Sequence, residues 1–217
     1  MRLVDLTLPV VHGMGRRGVN IRFEQIQTFE REGRQISAAY LPVHVGTHVD
    51  APLHFIKGGD SIEKVPLERL VGKAIVVNLT SKGPNEAITE ADLEPFSHEV
   101  REGDIVVLRT DWTVKKWGKP DFFDTSPYLD KDGAQWLAEK KIKAAGFDFA
   151  QEYAVRKAQF YTEECVVHTT LLSKNIYNIE YLTNLNRLIK KRFTIIALPI
   201  SLLGLEGAPA RVIAIEK

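Results

Sequence analysis

Three histidines and an aspartate fall within eleven positions in the run Pro42-Val43-His44-Val45-Gly46-Thr47-His48-Val49-Asp50-Ala51-Pro52-Leu53-His54-Phe55. Imidazole nitrogen and carboxylate oxygen are the donors that zinc, manganese and iron share. On an extended chain the side chains alternate, so His44, Gly46, His48 and Asp50 occupy one face while Val45, Thr47 and Val49 occupy the other. The apolar face anchors the segment, and the polar face is free to bind. At ~3.3 Å per residue a straight strand holds His44 and His48 about 13 Å apart, too far to share one ion at ~2 Å. Either Gly46 bends the chain or two ions bind. A helix would also pair the two histidines, but Val43, Val45, Thr47 and Val49 around an internal glycine, with Pro52 following, disfavour one. Asp50, with two oxygens, is the candidate bridge between ions ~3.5 to 4 Å apart.

A second, sparser group lies downstream. His168 precedes Leu171-Leu172, and Glu180 opens Glu180-Tyr181-Leu182-Thr183-Asn184-Leu185. Taken alone, each reads as structural. The first cluster, however, lacks the donors to close two metal sites, and His168 with Glu180 could supply them. No Gly-x-Ser-x-Gly elbow is present for serine chemistry. Cys165 lies only three residues before His168, where the two side chains would rarely align for thiol catalysis, and it reads as a buried core residue.

These residues need a frame. β-Branched runs predict strands at Leu3–Leu8, Gln35–Val45, Lys73–Leu79, Asp104–Thr110, Phe193–Ile200 and Arg211–Ile215. Thr89–Leu93 carries a weak capping signal, and Asp130–Ile142 is patterned as an amphipathic helix followed by a buried strand at Lys143–Phe149. The strand-helix-strand order points to an α/β domain. Segment Gln151–Glu164 is charged and irregular, reading as a solvated face in preference to a mobile flap. A chain of 217 residues suits one domain spanning residues 1–217. With 29 Lys and Arg against 28 Asp and Glu, the net charge of +1 provides no field to attract nucleic acid or an anionic membrane. No run reaches the ~20 apolar residues of a bilayer span. The lone Cys165 forms no internal disulfide, and it fits a reducing cytoplasm.

The run His44-Val45-Gly46-Thr47-His48-Val49-Asp50-Ala51-Pro52-Leu53-His54 resembles the cyclase family of metal-dependent hydrolases, which includes bacterial kynurenine formamidases. Asp5-Leu6-Thr7, Ile88-Thr89, Asp92-Leu93, Gly146-Phe147-Asp148 and Gly207-Ala208-Pro209-Ala210-Arg211 extend the likeness along the chain. The resemblance implies a swivelling β/β/α fold, a barrel-like sheet flanked by helices, assembled as a homodimer or homotetramer. It implies His44, His48, Asp50, His168 and Glu180 as metal ligands, with His54 and the bridging Asp50 as the catalytic pair. Glu180 is closer to the formamidases than to the isatin hydrolases, whereas Gln151–Glu164 departs from the formamidase loop. The expected cofactor is a divalent metal, zinc first and manganese second, as one or two ions. The expected substrate is a small-molecule amide of formamide type such as N-formylkynurenine. The alternatives are an isatin-type cyclic amide, a true ring closure, and a non-catalytic metal-binding protein.

Overall fold

A computed structural model describes Met1–Lys217. Ten strands organise it: β1 (Arg2–Asp5), β2 (Arg22–Gln27), β3 (Ile36–Tyr40), β4 (His48–Asp50), β5 (Val71–Asn78), β6 (Ile105–Arg109), β7 (Ala144–Phe147), β8 (Tyr177–Glu180), β9 (Arg192–Pro199) and β10 (Gly207–Glu216). Strands β5, β6, β7 and β8 pair in parallel, while β9, β10 and β4 continue the sheet antiparallel. Because β4 pairs with both β8 and β10, seven strands close on themselves, and β1 hangs on the outer part of β10. Closure removes the unpaired edges that an open sheet would present. Two residue pairs, Gly15–Arg16 with Val19–Asn20 and Ala87–Ile88 with Tyr128–Leu129, form small separate ladders.

The period of two along each strand divides the core. Ala74, Ile105, Val107, Ala144, Ile179, Ile195 and Val212 point into the barrel. Their neighbours Ile75, Val77, Val106, Leu108, Ala145 and Phe147 point outward, under helices α1 (Lys131–Glu139) and α2 (Val166–Leu172). Helix α1 is amphipathic as expected and is capped by Asp130, whose carboxylate accepts a 2.8 Å bond from the Gly133 amide. Thr89 and Asp92 form the reciprocal capping box over Glu90–Leu93.

Four of the seven expected strands appear within two residues of their predicted ends, the last begins four residues early, at Gly207 instead of Arg211, and three further expectations change. The strand predicted through Val45 stops at Tyr40, and residues 43–47 form a turn. The first strand ends at Asp5, although alternate burial continues through Leu6 and Leu8 and the Leu6 amide still bonds Val212 O at 2.9 Å. Segment Gln151–Glu164 is neither a surface helix nor a uniformly solvated face. It contains two 3-10 turns, Tyr153–Arg156 and Thr162–Glu164, while Gln151, Glu152 and Ala154 are buried. Arg16 Nη2 clamps its middle by donating to Val155 O at 2.6 Å, and Arg17 Nη2 donates to Lys157 O at 2.5 Å. No helix is long and apolar enough to cross a membrane.

Candidate metal centre

The centre is built on the outer face of the barrel where β4 meets β8. Val49 points inward, so His48 and Asp50 must point outward, and the register sets His48 opposite Glu180 and Asp50 opposite Asn178. Alternation along two short strands therefore delivers four polar side chains to one patch. Helix α2 crosses above them and lowers His168 onto the patch.

Gly46 resolves the spacing of the first two histidines. Its φ of +58° is a left-handed conformation that glycine adopts without strain, and the chain doubles back there, with the His44 and His48 rings at 5.1 Å. Of the two possibilities for the pair, the bend is what the structure contains. A Cβ at Gly46 would stand 2.8 Å from Val10 Cγ1, so side-chain volume is excluded as well. Thr47 fixes the turn, since its hydroxyl donates to Tyr181 O at 2.8 Å and accepts from the Leu8 amide at 2.8 Å. After Asp50, Pro52 opens a 3-10 turn over Pro52–His54 that brings His54 back to stack on His44 at 3.8 Å.

The polar atoms converge. Asp50 Oδ1 lies 2.8 Å from His44 Nδ1 and 3.2 Å from His48 Nε2, while Asp50 Oδ2 lies 3.4 Å from His168 Nε2. Glu180 spans the other side, with Oε1 at 2.9 Å from His168 Nε2 and Oε2 at 3.6 Å from His48 Nε2. Donors about 2.0–2.2 Å from one tetrahedral ion stand roughly 3.3 Å from one another, which is the spacing found here. Two donor triplets result, His44 with His48 and Asp50, and Asp50 with His54 and His168, each within 4.8 Å, and Asp50 belongs to both. His44 Nε2 makes no hydrogen bond and has Glu206 Oε1 at 3.5 Å, while Nδ1 is the atom turned to Asp50. The donor chemistry and the spacing fit a divalent cation.

Electrostatics agree. Burial raises the Asp50 carboxyl, but His48, His168 and His44 outweigh it and hold the group well below the usual carboxylate range. Burial disfavours charge on His48, yet Asp50 and Glu180 lift it to about 8. His168 follows the same pattern: burial lowers it, whereas Asp50, Glu152 and Glu180 raise it well above an ordinary imidazole. Protons on these two rings thus balance buried carboxylates, the task a metal performs when it displaces protons from its ligands. His54 behaves differently. Burial pushes it down to about 3 against the pull of Asp50, with the neighbouring imidazoles adding to the lowering, so it is neutral near pH 7.

A cavity of about 260 Å³ opens on the centre, walled by His54, Phe55, Val155, Phe160, Cys165 and Tyr181 among others. Phe55 stacks on His168 at 4.4 Å, and Tyr181 leans over His48 at 5.6 Å. Tyr181 has a φ of +53°, a conformation that costs a non-glycine residue of order 1 kcal/mol or more and that clusters at working sites. A wider groove of about 1200 Å³ meets the centre at His44 and Tyr181.

The structure brings together all six residues singled out in the sequence: His44, His48, Asp50, His54, His168 and Glu180. It adds four that sequence reasoning missed. Gln151 Nε2 donates to Glu180 Oε1, Glu152 supports His168, and Tyr181 roofs His48. Gly207 is the fourth. A Cβ on it would lie 2.8 Å from His44 Cε1 and 2.9 Å from Val49 O, so the glycine makes room for the His44 ring against a barrel strand. We expect Gly207→Ala to weaken metal binding and to destabilise the fold by about 1–3 kcal/mol, the usual cost of overpacking. Chelator competition and urea unfolding check this, and wild-type values in both would contradict the packing argument.

Asp148, which follows β7, holds the chain just before Gln151. It accepts 2.8 and 2.7 Å bonds from the Thr110 amide and hydroxyl and a 2.7 Å bond from the Asp111 amide. Burial nevertheless pushes its carboxyl up to about 7. A raised carboxylate pKa means that the folded state keeps its proton after the unfolded chain has lost it, so Asp148's contribution is complete below about 4 and is lost as pH rises through 7. The stability difference between wild type and Asp148→Asn should therefore move against the wild type between pH 4.5 and 8. Urea unfolding at both values would show it, and a difference independent of pH would contradict it.

A closed barrel carrying a buried histidine-carboxylate cluster on its outer face suits a metal-dependent hydrolase, and solved structures of proteins named as such share the fold. A "potential metal-dependent hydrolase with cyclase activity" is 31% identical with a TM-score of 0.77, covering 98% of this chain and 96% of that one. Isatin hydrolase A from Labrenzia aggregata, bound to benzyl benzoate, is 26% identical with a TM-score of 0.82, covering 98% of this chain and 93% of that one. Residues 4–151 match the cyclase family model, described as "Putative cyclase", and the chain belongs to that family. The kynurenine formamidase of Bacillus mycoides (strain KBAB4) is 29% identical over 174 residues, 80% of this chain and 76% of that protein. The protein is accordingly a metal-dependent amidohydrolase of the cyclase family.

Proposed function

We propose that the protein hydrolyses a small formamide-type amide such as N-formylkynurenine, with His44, His48, Asp50, His168 and Glu180 as metal ligands and His54 as the proton-transfer residue. The observation that carries this reading is the convergence of four metal donors, His44, His48, His168 and Glu180, and the His54 imidazole on a single cavity of about 260 Å³, large enough for the scissile amide and its immediate neighbours, with Asp50 buried behind them. Similarity to a kynurenine formamidase supports the choice of substrate. Zinc is the expected ion and manganese the second choice. Asp50 presents Oδ1 to His44 and His48 and Oδ2 to His168, so it would help to hold one ion or two.

A bound divalent ion supplies Lewis-acid polarisation and a water whose pKa falls from 15.7 towards about 7. The chain's own residues do the rest. His54, in a donor triplet with Asp50 and His168 at the cavity wall, takes up a proton at a ring nitrogen and returns it to the departing amine, so that amide and water become a carboxylic acid and an amine. Phe55 and Phe160 exclude bulk water from the cavity, and the Gln151 amide fixes the Glu180 carboxylate. We read residues 1–217 as one catalytic domain, and a lone thiol, which gains nothing from an oxidising compartment, supports a cytoplasmic location.

The ribbon of β2 and β3 is exposed throughout and carries Phe23, Ile26, Ile36 and Tyr40 at its surface. A lone two-stranded ribbon is marginally stable in water, and a second copy of the chain, as a homodimer or within a homotetramer, is the cover we assign to it. An isatin-type cyclic amide is the second substrate reading, favoured by the structural likeness to isatin hydrolase A. Assay of zinc- or manganese-loaded protein on N-formylkynurenine and on isatin separates the two. Metal-dependent formate release supports the first reading. Ring opening of isatin without formate release from the formamide replaces it with the second, and inertness of the loaded protein towards both overturns hydrolysis of these amides.

A further inference from the structure

Glu152 has no place in the mechanism above, yet its surroundings are unusual for a glutamate. It is 1% exposed, and its Oε1 accepts two bonds from a single residue, 2.7 Å from the His168 amide and 3.0 Å from His168 Nδ1. Its second oxygen, Oε2, is buried with no hydrogen-bond partner. A buried carboxylate with an unpaired oxygen is destabilising unless positive charge lies close by, and leaving one costs more than replacing it with an apolar group of similar shape. Fixing the start of α2 is therefore a poor explanation, because a neutral side chain would serve at lower cost. Positive charge on the His168 ring or beyond it, carried by a proton in the metal-free protein and by a cation when one is bound at Nε2, is a better one.

We propose that Glu152 is a positioning residue that fixes His168 through Nδ1 as the metal-binding histidine of the centre. This rests on the metal-centre reading above. By accepting the Nδ1 proton, Glu152 holds the ring in the tautomer whose Nε2 carries the free lone pair, and Nε2 is the atom facing Asp50 Oδ2 at 3.4 Å and Glu180 Oε1 at 2.9 Å. The same carboxylate locks the ring's rotation, since the amide and Nδ1 of one residue are tied to one oxygen. The negative charge also strengthens the imidazole as a donor to a cation. Gln151, its chain neighbour, acts on Glu180, so two consecutive residues of one segment hold two donors of the same centre. His48 obtains a comparable constraint from the backbone, with Nδ1 at 2.9 Å from Gly46 O. His168, delivered by a helix rather than by the β4 turn, has no such carbonyl and uses Glu152.

The test is zinc affinity by competition with a fluorescent chelator, alongside the melting temperature of the metal-free protein, for wild type, Glu152→Ala, the near-isosteric Glu152→Gln, His168→Ala and the Glu152→Ala/His168→Ala pair. Glu152→Ala should weaken zinc binding about 10- to 100-fold without a matching fall in metal-free melting temperature. Glu152→Gln retains an acceptor for Nδ1 and should recover part of that loss. In the His168→Ala background the Glu152 substitution should change affinity little, because its effect passes through that ring. Wild-type zinc affinity in both Glu152 single variants overturns the proposal. So does a loss of affinity that tracks a loss of metal-free stability, or one that persists undiminished without His168. A wild-type protein that binds no zinc or manganese would instead overturn the metal-centre reading, and the proposal with it.

Discussion

Asp50→Ala is expected to empty the centre of metal and to reduce amide hydrolysis to background. Asp50 is completely buried, and its two oxygens face His44, His48 and His168, so no other residue can take its place between the donor triplets. The loss is electrostatic as well as geometric. With Asp50 gone, His48 and His168 keep only the glutamates as counter-charge, and removing one partner of a buried charged pair typically costs about 3–5 kcal/mol. The variant should therefore lose metal-free stability too, mainly below pH 8, where the wild-type His48 carries its proton. Elemental analysis after metal loading should find the ion content well below that of wild type, and urea unfolding should find the metal-free fold weakened. Full metal occupancy in Asp50→Ala would contradict the bridging role.

His54→Ala should separate chemistry from metal binding. The ring stacks on His44 at 3.8 Å and stands in a donor triplet with Asp50 and His168, near enough to hand a proton across the centre. It is half-buried and lines the cavity where substrate must enter. Removing a general acid-base group lowers turnover by about 10² to 10⁴, whereas the five assigned ligands remain. We expect kcat to fall by that factor with metal content unchanged. Steady-state kinetics paired with elemental analysis decide the matter: unchanged turnover removes the proton-transfer role, and a parallel loss of metal makes His54 a ligand instead.

The two substitutions probe the part of the centre that was most legible in the sequence. Four donor residues within eleven positions, an intervening glycine and a proline stop mark a metal-binding segment in the sequence, with a bend at Gly46 as one of two ways to pair its histidines. The alternation argument was correct for His48 and Asp50, which lie on β4, and failed for His44, which reaches the same place by reversal at Gly46. Periodicity alone cannot distinguish a continued strand from a glycine turn. Helix α2 was not recognised, because Val-Val-His-Thr-Thr is a β-favouring run whose local preference is overridden by packing against α1 and the sheet. Strand β8, Tyr-Asn-Ile-Glu, is short and half polar because one of its faces is the site.

Gln151 and Glu152 were hidden for a different reason. Their segment is charged, and charge normally marks solvated surface, while their burial depends on contacts with α2 and β8 that no local pattern records. One usable signal was present. Both residues come four or five positions after the end of a strand in a parallel sheet, and the carboxyl ends of such strands are where sites collect. Gly207 left no trace of its role, because the residue it accommodates lies 163 positions earlier in the chain.

The most direct test is a crystal grown with zinc or manganese and measured across the metal's absorption edge. The account predicts anomalous density inside the cluster, about 2.0–2.2 Å from His48 Nε2, His168 Nε2 and oxygens of Asp50 and Glu180, with the Asp50 carboxylate contacting every ion present. Anomalous density elsewhere on the protein, or none in the cluster at saturating metal, would contradict the assignment of this site as the metal centre of the hydrolase.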